Sequence, residues 1–352
     1  MFQIFKKIFS FFYFLIYSLN RFFFRLGLKK VFSSPAYILS IGNLSLGGSG
    51  KTPMVEFVSK ELYLKNFSPT IISRGYGRGS RKNLMVSDGG GKIASIEASG
   101  DEPYMLANSL PQIPIWVGKK TQVLFSAYEK NQPKPILLDD GFQTAYIKKN
   151  LDILLIDTSV SLAQYQLLPV GRLREPLSAI NRANIIILTK CNFAGKNLIK
   201  IKKIISSYLY NKKTSIFSSN YVLSLKQYKK NTFFCVQKKF STAIVAFCGI
   251  ANSKIFEKEA SRLSGGPFAF LKFSDHHRYS NKDIVNIKQT LALLGSQTII
   301  TTKKDLFKIK DSLKNYNLFI LDVEHQIINK AGFLKEIVDD INNYYSSDQY
   351  IG

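Results

Sequence analysis

Short apolar runs alternate with amphipathic stretches along most of the chain from residue 36 onward. A run of four to eight apolar residues is typical of a buried strand, and apolar residues three or four positions apart are typical of a helix. Strands are predicted at residues 36–41, 69–73, 113–117, 135–138, 153–157 and 184–188. Further strands are predicted at 243–248, 268–273, 298–301 and 318–323, with helices at 196–210, 255–263, 283–294 and 331–345. This alternation predicts an α/β protein with mainly parallel strands.

The first thirty residues follow a different pattern. Residues 8–19 are apolar except for two serines, and Lys6, Lys7, Arg21 and Arg25 flank them. A run of this length is shorter than the roughly 20 apolar residues that a membrane-spanning helix needs. The favoured interpretation is a basic, Phe-rich helix that lies in a membrane interface. The alternatives are a signal peptide, a buried core helix, or a true span with Arg21 snorkelling.

The length of 352 residues favours two domains, each with its own core. A polar, lysine-rich passage at residues 224–241 separates the two α/β patterns and predicts a connection, either a coil or a two-stranded hinge. The predicted organisation is an N-terminal membrane-associated helix at 1–32, a larger domain at 33–223, this linker, and a smaller α/β domain at 242–352.

The composition is that of a globular protein, with 45% hydrophobic and 21% charged residues. A formal net charge of +25 attracts anionic membranes, nucleic acids or phosphorylated substrates, and does not choose among them. Cys191, Cys235 and Cys248 form no CxxC pair, so neither a disulfide framework nor a zinc site is indicated. A reducing cytosol is the simplest compartment.

The stretch SLGGSGKT at residues 45–52 lies between an apolar strand and a helical pattern, which is the context of a phosphate-binding loop. The predicted backbone cradle consists of Gly47, Gly48, Ser49 and Gly50. Lys51 would reach the terminal phosphates, and Thr52 would place its hydroxyl on Mg²⁺. Ser45 stands where the general pattern has its first glycine. The alternative is a glycine-rich turn with an incidental lysine.

The stretch KPILLDDGFQ at residues 134–143 places Asp139 and Asp140 at the end of an apolar strand. In proteins with a phosphate loop, the acid that supports Mg²⁺ occupies such a position. An Asp-Gly turn that simply ends a strand is the alternative. Beside a phosphate loop, the metal-binding interpretation is favoured.

Three further polar stretches are SRGYGRGSRK from residue 73, SGDEPYMLA from residue 99 and LPVGRLREP from residue 168. Their arginines could clamp phosphates through paired hydrogen bonds, the alternative being solvated surface charges. These arginines are Arg74, Arg78, Arg172 and Arg174.

Two other stretches bear on the chemistry. FSDHHRYS at residues 273–280 offers a histidine beside an aspartate, a plausible acid/base element, or else an exposed loop at a helix start. LTKCN at 188–192 matches the base-reading TKxD motif of GTPases except that Asn192 replaces the aspartate. ATP is therefore favoured over GTP.

Taken in order, GGSGKTP, SRGYGR, GDEPYMLA, DDGFQ, LPVGRLREP and FSDHHRY resemble the tetraacyldisaccharide 4′-kinase family, the lipid A 4′-kinases of Gram-negative bacteria. The resemblance spans about residues 40–280. It implies transfer of the γ-phosphate of ATP, with Mg²⁺, to the 4′-hydroxyl of a tetraacyl glucosamine disaccharide 1-phosphate, giving lipid IVA. The expected location is the cytoplasmic face of the inner membrane, bound peripherally. The family's loop carries Ser or Thr at the position of Ser45.

The resemblance also implies roles for single residues. Lys51 would stabilise the γ-phosphate, while Thr52, Asp139 and Asp140 would hold Mg²⁺ or its water shell. Asp101 would lie beside the attacking hydroxyl as base or orienting group, with His276 as its partner once the second domain closes. The remaining residues of the nucleotide or sugar-phosphate site would be Arg74, Tyr76, Glu102, Gln143 and Arg174.

Two positions depart from the family pattern. Lys119 and Lys120 follow the strand at 113–117 where an arginine is frequent, and Lys303 stands where the family tends to have an acid. The rival interpretations are a membrane-tethered nucleotide switch and an ATPase stimulated by nucleic acid. Asn192 argues against the switch, and the sequence has no recognisable zinc finger or RNA-recognition motif. The expected partners are the lipid substrate and the inner-leaflet surface and not nucleic acid, and the sequence leaves the oligomeric state open.

Overall fold

The computed structural model describes residues 2–210, 213–230, 232–250 and 253–347. The chain divides into two compact units, Met1–Tyr221 together with His325–Gly352, and Val222–Glu324. Parts of the predicted domains lie outside the described residues, namely Met1, residues 211–212 of the larger domain, residue 231 of the linker, and residues 251–252 and 348–352 of the second domain.

The first unit begins with a long helix and continues as an α/β succession. Its elements are α1 (Phe2–Arg25), β1 (Ile38–Asn43), α2 (Lys51–Leu64), β2 (Thr70–Ser73), β3 (Leu84–Ser87), α3 (Ile96–Ser99), α4 (Asp101–Ser109), β4 (Ile115–Val117), α5 (Lys120–Asn131), β5 (Ile136–Asp139), β6 (Leu151–Asp157), β7 (Ile185–Thr189) and α6 (Asn197–Tyr208). Short 3₁₀ helices lie at Leu162–Gln164, Leu177–Arg182 and Cys191–Phe193. The chain leaves this unit within β8 (Ser215–Lys229).

The strands of the first unit follow the order β8-β7-β6-β1-β5-β2-β4-β3. All pairings are parallel except that of β3 with β4. β1 lies between β5 and β6, with Leu39 opposite Leu137 and Leu151. Because parallel strands end at the same edge, the residues after β1, β5 and β6 come together there, where α/β folds bind ligands.

Both faces of this sheet are buried, which explains the continuous apolar runs of its strands. Residues alternate along β1, so that Leu39 and Ile41 pack with α2 and α4 on one face and Ile38 packs with α5 on the other. The last helix of the chain joins the first of these clusters through Phe333 and Ile337.

The second unit is also an α/β succession with mainly parallel strands. Its elements are the end of β8, β9 (Thr232–Cys235), β10 (Ile244–Cys248), α7 (Ser253–Leu263), β11 (Phe268–Lys272), α8 (Asn281–Leu293), β12 (Thr298–Thr301), α9 (Lys303–Ile309), a 3₁₀ helix (Lys310–Leu313) and most of β13 (Asn317–Ile328). The strand order is β11-β10-β12-β13, and β9 pairs antiparallel with β8. The chain returns to the first unit within β13 and ends in α10 (Lys330–Ser346).

The structure confirms the predicted α/β class with mainly parallel strands. It draws the boundaries of the units differently from the sequence in two places. Residues 224–241 are mainly the paired strands β8 and β9 of the second unit. Residues 325–352 belong to the first unit, because the apolar face of α10 packs on the core around β1 and α2.

The N-terminal segment is one helix, α1, of 24 residues. Most of its large apolar side chains are exposed, including Phe9 at 63% and Ile16 at 69%. Among the described residues, no helix combines the length and the apolarity needed to cross a membrane.

Candidate active site

The phosphate loop connects the end of β1 to the start of α2. Gly47 and Gly50 have φ values of +108° and +87°, in the left-handed region that favours glycine. A Cβ on Gly50 would collide with the hydroxyl of Tyr221 and approach His325 Nε2 to 2.7 Å. Both the backbone conformation and the packing therefore require glycine at position 50, directly before Lys51 begins α2.

Three consecutive carbonyl groups of the loop, those of residues 48–50, are hydrogen-bonded by side chains. Lys190 Nζ donates to the first at 2.7 Å, Thr189 Oγ1 donates to the second at 3.2 Å, and His325 Nε2 lies 2.9 Å from the third. The C=O of a trans peptide and the N–H of the next residue point in opposite directions. The N–H groups of residues 50 and 51 thus point away from these side chains, an orientation suited to an anion.

His325 is buried behind the loop. Its Nδ1 lies 2.9 Å from Ser219 Oγ, and its ring packs edge-on against Tyr221. Because a carbonyl only accepts, Nε2 must carry the proton toward Gly50, and Nδ1 then accepts from the serine. Burial lowers the pKa of His325 to about 4, so the ring is neutral at physiological pH.

The LTKCN stretch lies against the phosphate loop. Besides its bond to the loop carbonyl, Lys190 pairs with Asp157 at the end of β6. The side-chain amide of Asn192 makes two hydrogen bonds with the backbone of Tyr221, at 2.9 and 3.0 Å. In this structure the stretch therefore supports the phosphate loop and the start of β8.

The acidic pair lies where β5 ends and a strained turn begins. Asp139 ends the strand, and Asp140 has a φ of +49°, which is unfavourable for a residue with a Cβ. Lys120 Nζ donates to the carbonyl groups of both residues, at 2.7 and 2.8 Å. Burial lowers the pKa of Lys120 to about 8. Lys120, one of the two lysines that stand where the family frequently has an arginine, is thus bonded to this turn.

Arg174 joins the acidic turn to the end of β1. Its guanidinium donates to both carboxylate oxygens of Asp140, at 2.8 and 2.9 Å, and to Asn43 O at 3.1 Å. Lys51 Nζ lies 3.2 Å from Asn43 Oδ1 and 3.8 Å from Asp140 Oδ1. Burial alone would raise the pKa of Asp140, but Arg174 and Lys51 lower it to about 2. Asp140 is therefore an ionised carboxylate flanked by two cations.

Asp139 has a different environment. It is buried, and Ser73 Oγ donates to its Oδ2 at 2.9 Å. Burial raises its pKa to about 6, with smaller contributions from the negative charges of Glu102 and Asp140. Two adjacent carboxylates thus hold protons with very different strength, as is common at functional sites.

The SRGYGR and SGDEP loops lie in contact with each other. Gly100, with a φ of +87°, precedes α4, and a Cβ there would lie 2.9 Å from Tyr76 O. Asp101 and Glu102 form the first turn of α4, and the Tyr76 side chain is 74% exposed. Arg74 lies near enough to Lys120 to lower its pKa further. Of the predicted residues of these loops, Arg74 lies close enough to Lys120, and Glu102 close enough to Asp139, for their charges to act on those groups.

The oxygen donors at this edge fit Mg²⁺. Thr52 in the first turn of α2 supplies a largely buried hydroxyl, and Asp139 and Asp140 supply carboxylates. Mg²⁺ prefers such ligands and usually takes only one or two from protein, the rest being water and phosphate. Within the described ranges, no group of three or more His, Cys, Asp or Glu side chains is arranged to hold a metal ion.

A family model described as LpxK, tetraacyldisaccharide-1-P 4′-kinase, matches residues 2–342. The chain belongs to this family. The tetraacyldisaccharide 4′-kinase of Desulfotalea psychrophila is 37% identical over 291 residues, which cover 81% of this chain and 82% of that one. That of Flavobacterium psychrophilum is 32% identical over 343 residues, 96% of each chain.

A crystal structure of LpxK from Aquifex aeolicus in complex with ATP is also similar. It superimposes with a TM-score of 0.75 at 29% identity, covering 97% of this chain and 100% of that one. The family membership confirms the resemblance inferred from the six motifs, and with it the prediction that the protein is a kinase.

The first unit brings together most of the predicted site residues, whereas His276 belongs to the second unit. His276 follows β11 with a φ of +58°, and its N–H donates to Gly249 O at 3.3 Å. His277 Nε2 lies 3.1 Å from Asp283 at the start of α8.

Several residues of the site carry no motif of their own. Asn43 and Ser73 are the last residues of β1 and β2; Asn43 lies two residues before the stretch at 45–52, and Ser73 is the first residue of SRGYGRGSRK. Their position at strand ends is a signal that could have found them. Lys190 lies in the LTKCN stretch, whose sequence suggests only a comparison with the base-reading motif of GTPases. His325 lies in β13 between Glu324 and Gln326, more than 270 residues from the loop it contacts, and no local signal marks it.

Proposed function

We propose that the protein transfers the γ-phosphate of ATP to the 4′-hydroxyl of a tetraacyl glucosamine disaccharide 1-phosphate, with lipid IVA as product. The observation that carries this proposal is the bonded network of Asn43, Lys51, Asp140 and Arg174 beside the phosphate loop, in a chain of this kinase family. The ATP complex of the Aquifex aeolicus relative supports ATP as the nucleotide.

Phosphoryl transfer requires alignment and charge neutralisation more than covalent chemistry from the protein. The N–H groups of the loop and the ammonium of Lys51 bind the β- and γ-phosphates. Asn43 accepts a hydrogen bond from Lys51 and so limits where the ammonium can lie. Arg174 keeps Asp140 ionised and fixed in direction.

Thr52, Asp139 and Asp140 would hold Mg²⁺ and its water shell. When bound, the ion neutralises negative charge on the β- and γ-phosphates. The fixed turn after β5 holds the two carboxylates at the edge where the phosphate loop ends, through the bonds from Lys120 and Arg174.

Asp101 is assigned as the group that accepts or orients the proton of the 4′-hydroxyl. As the hydroxyl oxygen forms its bond to the γ-phosphorus, the bond to the β-phosphate oxygen breaks, and the proton passes to the Asp101 carboxylate. Its place at the N-terminus of α4, in contact with the SRGYGR loop, supports this role. His276 is assigned as its partner on the family motif alone.

The sugar-phosphate and nucleotide contacts are assigned to Arg74, Tyr76, Glu102, Gln143 and Arg174. For Gln143 the structure offers a specific reason. Its Nε2 donates to Asn43 O at 2.9 Å, while its Oε1 is buried and, among the residues described, has no hydrogen-bond partner. A buried acceptor of this kind is suited to a sugar hydroxyl.

Substitution of Asp101 tests the assignment. Asp101→Asn should lower kcat by roughly 10²- to 10⁴-fold while the Kd for ATP stays near the wild-type value, since the amide keeps the shape but not the basicity. If only the KM for ATP rises, Asp101 belongs to nucleotide binding. Unchanged turnover in His276→Ala would refute the role of that histidine.

The location proposed is the cytoplasmic face of the inner membrane, with α1 lying in the interface. The exposed apolar side chains of α1 and the net charge of +25 support this, since an interface buries apolar side chains and anionic headgroups attract basic ones. Co-sedimentation with anionic but not with zwitterionic vesicles is the expected result. Failure to bind either kind of vesicle would contradict it.

The rival interpretations, a nucleotide switch and an ATPase stimulated by nucleic acid, have less support. Asn192, which would have to read a base, is hydrogen-bonded through its amide to Tyr221. Stimulation of ATP hydrolysis by DNA or RNA, with steep salt dependence, would favour the rival.

A further inference from the structure

The helix α1 faces the rest of the first unit with polar residues. Ser10, Tyr13, Tyr17 and Arg21 are spaced three or four positions apart and form one stripe along the helix. Three of them make hydrogen bonds with residues 167–182. A helix of a water-soluble protein normally turns its apolar side inward. In α1 the polar side faces the protein instead, so we ask which function these polar contacts serve.

The central contact of the stripe is made by Tyr13. Its Oη donates to Arg174 O at 2.6 Å. Ser10 Oγ donates to Leu167 O at 3.3 Å, and Tyr17 Oη donates to Glu175 Oε2 at 3.3 Å. The helix therefore holds the loop at residues 167–175, and at Arg174 it holds the backbone of a residue of the proposed site.

The same loop segment is bonded to the phosphate loop on its other side. Residues 172–174 run antiparallel to residues 44–46, with Leu46 N donating to Arg172 O at 2.7 Å and Arg174 N donating to Leu44 O at 2.6 Å. The main chain of Arg174 is thus fixed twice, by the phosphate loop through its N–H and by Tyr13 through its carbonyl.

We propose that Tyr13 is a positioning residue for phosphate transfer, through which α1 sets the direction of the Arg174 guanidinium toward Asp140 and Asn43. This rests on the proposed function only in taking Arg174 and Asp140 as parts of the ATP site. Tyr13 itself does not touch the nucleotide.

The chemistry of the contact fits a permanent donor. Burial, together with the negative charge of Glu175, raises the pKa of Tyr13, so the phenol keeps its proton over the working pH range. Without this bond, the peptide after Arg174 loses its restraint, and the guanidinium can move away from Asp140. Small displacements of charged groups at a phosphate site weaken binding and transfer out of proportion to their size.

The proposal separates two tasks within one helix. The hydroxyl of Tyr13 serves the ATP site, and the exposed apolar side chains, such as Phe9 and Ile16, serve the lipid surface. A variant that lacks only the hydroxyl should therefore change nucleotide affinity and leave membrane binding as it is. If the helix acted only as an anchor, this variant would leave nucleotide affinity unchanged.

The test is Tyr13→Phe in the full-length protein, with the Kd for ATP measured by titration with Mg²⁺ and without lipid acceptor. We expect the Kd to rise about fivefold, the effect of one lost hydrogen bond. The KM for ATP should rise with it, whereas the KM for the acceptor and binding to anionic vesicles should not change. The matched control is Tyr208→Phe, at an exposed tyrosine of α6, with wild-type affinity expected.

A second variant distinguishes positioning from general loosening of α1. Ser10→Ala removes another hydroxyl that holds the same loop, at Leu167 and not at Arg174. Wild-type ATP affinity in Tyr13→Phe, or an equal loss in Ser10→Ala, would overturn the proposal. Because affinity is measured without acceptor, this outcome is distinct from failure of the lipid kinase assignment, in which ATP binds but no lipid is phosphorylated.

Discussion

In each unit a glycine-containing loop follows the first complete parallel strand, which is β1 in the first unit and β10 in the second. Side chains bond opposite kinds of backbone group in the two loops. After β1, side chains bond the carbonyl groups of the loop, as His325 does for Gly50. After β10, a side chain bonds an N–H group, since Asp305 Oδ2 accepts from Gly249 N at 2.8 Å. Asp305 is fully buried and also accepts from Thr302 Oγ1 at 2.6 Å.

The difference shows what makes such a loop a phosphate site. Backbone N–H groups at the carboxyl edge of a parallel sheet attract an anion in either unit. The second unit supplies that anion from its own chain, as the carboxylate of Asp305. The first unit bonds carbonyl groups of the loop instead, which turns the N–H groups of residues 50 and 51 away from the bonding side chains and toward a ligand.

The largest effect is expected from Gly50→Ala. The added Cβ would meet Tyr221 and His325 in a left-handed backbone, so the loop must move. ATP affinity should fall on the order of a hundredfold. Gly249→Ala, whose Cβ would lie 3.0 Å from Ser274 O, should leave ATP affinity unchanged. Near-normal binding in Gly50→Ala would show that the geometry of this loop is not what binds phosphate.

Removal of the internal anion of the second unit is expected to affect stability. Asp305→Ala leaves the N–H of Gly249 and the hydroxyl of Thr302 without their buried acceptor, at a cost of about 2 kcal/mol. Urea unfolding should show a lower midpoint, with ATP affinity retained. Asp311→Ala, at an exposed aspartate, is the control. An unchanged midpoint for Asp305→Ala would contradict the comparison.

The pH dependence of nucleotide binding should report Asp139. Its pKa is raised to about 6, so it takes up a proton below that pH and loses the charge that would support Mg²⁺. Affinity for ATP with Mg²⁺ should fall about tenfold per pH unit below 6, while Asp140, with a pKa of about 2, stays ionised. Asp139→Asn should bind more weakly and lose this dependence. A wild-type profile that is flat between pH 7 and 5 would refute the assignment.

The smallest effect is expected at His325, where two substitutions separate its two ring nitrogens. The amide of His325→Gln can still reach Gly50 O, whereas that of His325→Asn can replace only the contact with Ser219. The Kd for ATP should rise about fivefold in His325→Asn and change little in His325→Gln. Equal affinities in the two variants would mean that the carbonyl bond does not support the loop.

The sequence predicted the parts of the site that are local. The loop at residues 45–52 and the acidic pair after β5 were predictable, because strand, turn and helix patterns adjoin them. The helix α1 was also predictable, because its apolar run and the basic residues that flank it are local features of the sequence. Its stripe of Tyr13 and Tyr17 was not identified, because nothing in the sequence tells which side of an isolated helix meets the protein.

The residues that support the site from a distance could not be predicted. His325 contacts the phosphate loop, and Ser219 contacts His325, because the chain returns to the first unit within β13. The same return explains why α10 belongs to the first unit, whereas the sequence placed it at the end of the second. Contacts of this kind depend on strand order, which single-chain patterns do not determine.

The most direct test is transfer of label from γ-labelled ATP to a tetraacyl-disaccharide 1-phosphate by the detergent-solubilised protein. Lys51→Ala serves as the control, because it lacks the ammonium held by Asn43 beside Asp140. We predict labelled lipid from the wild type and none from the control. Free phosphate without labelled lipid, across detergents and Mg²⁺ concentrations, would contradict the assignment as a lipid kinase.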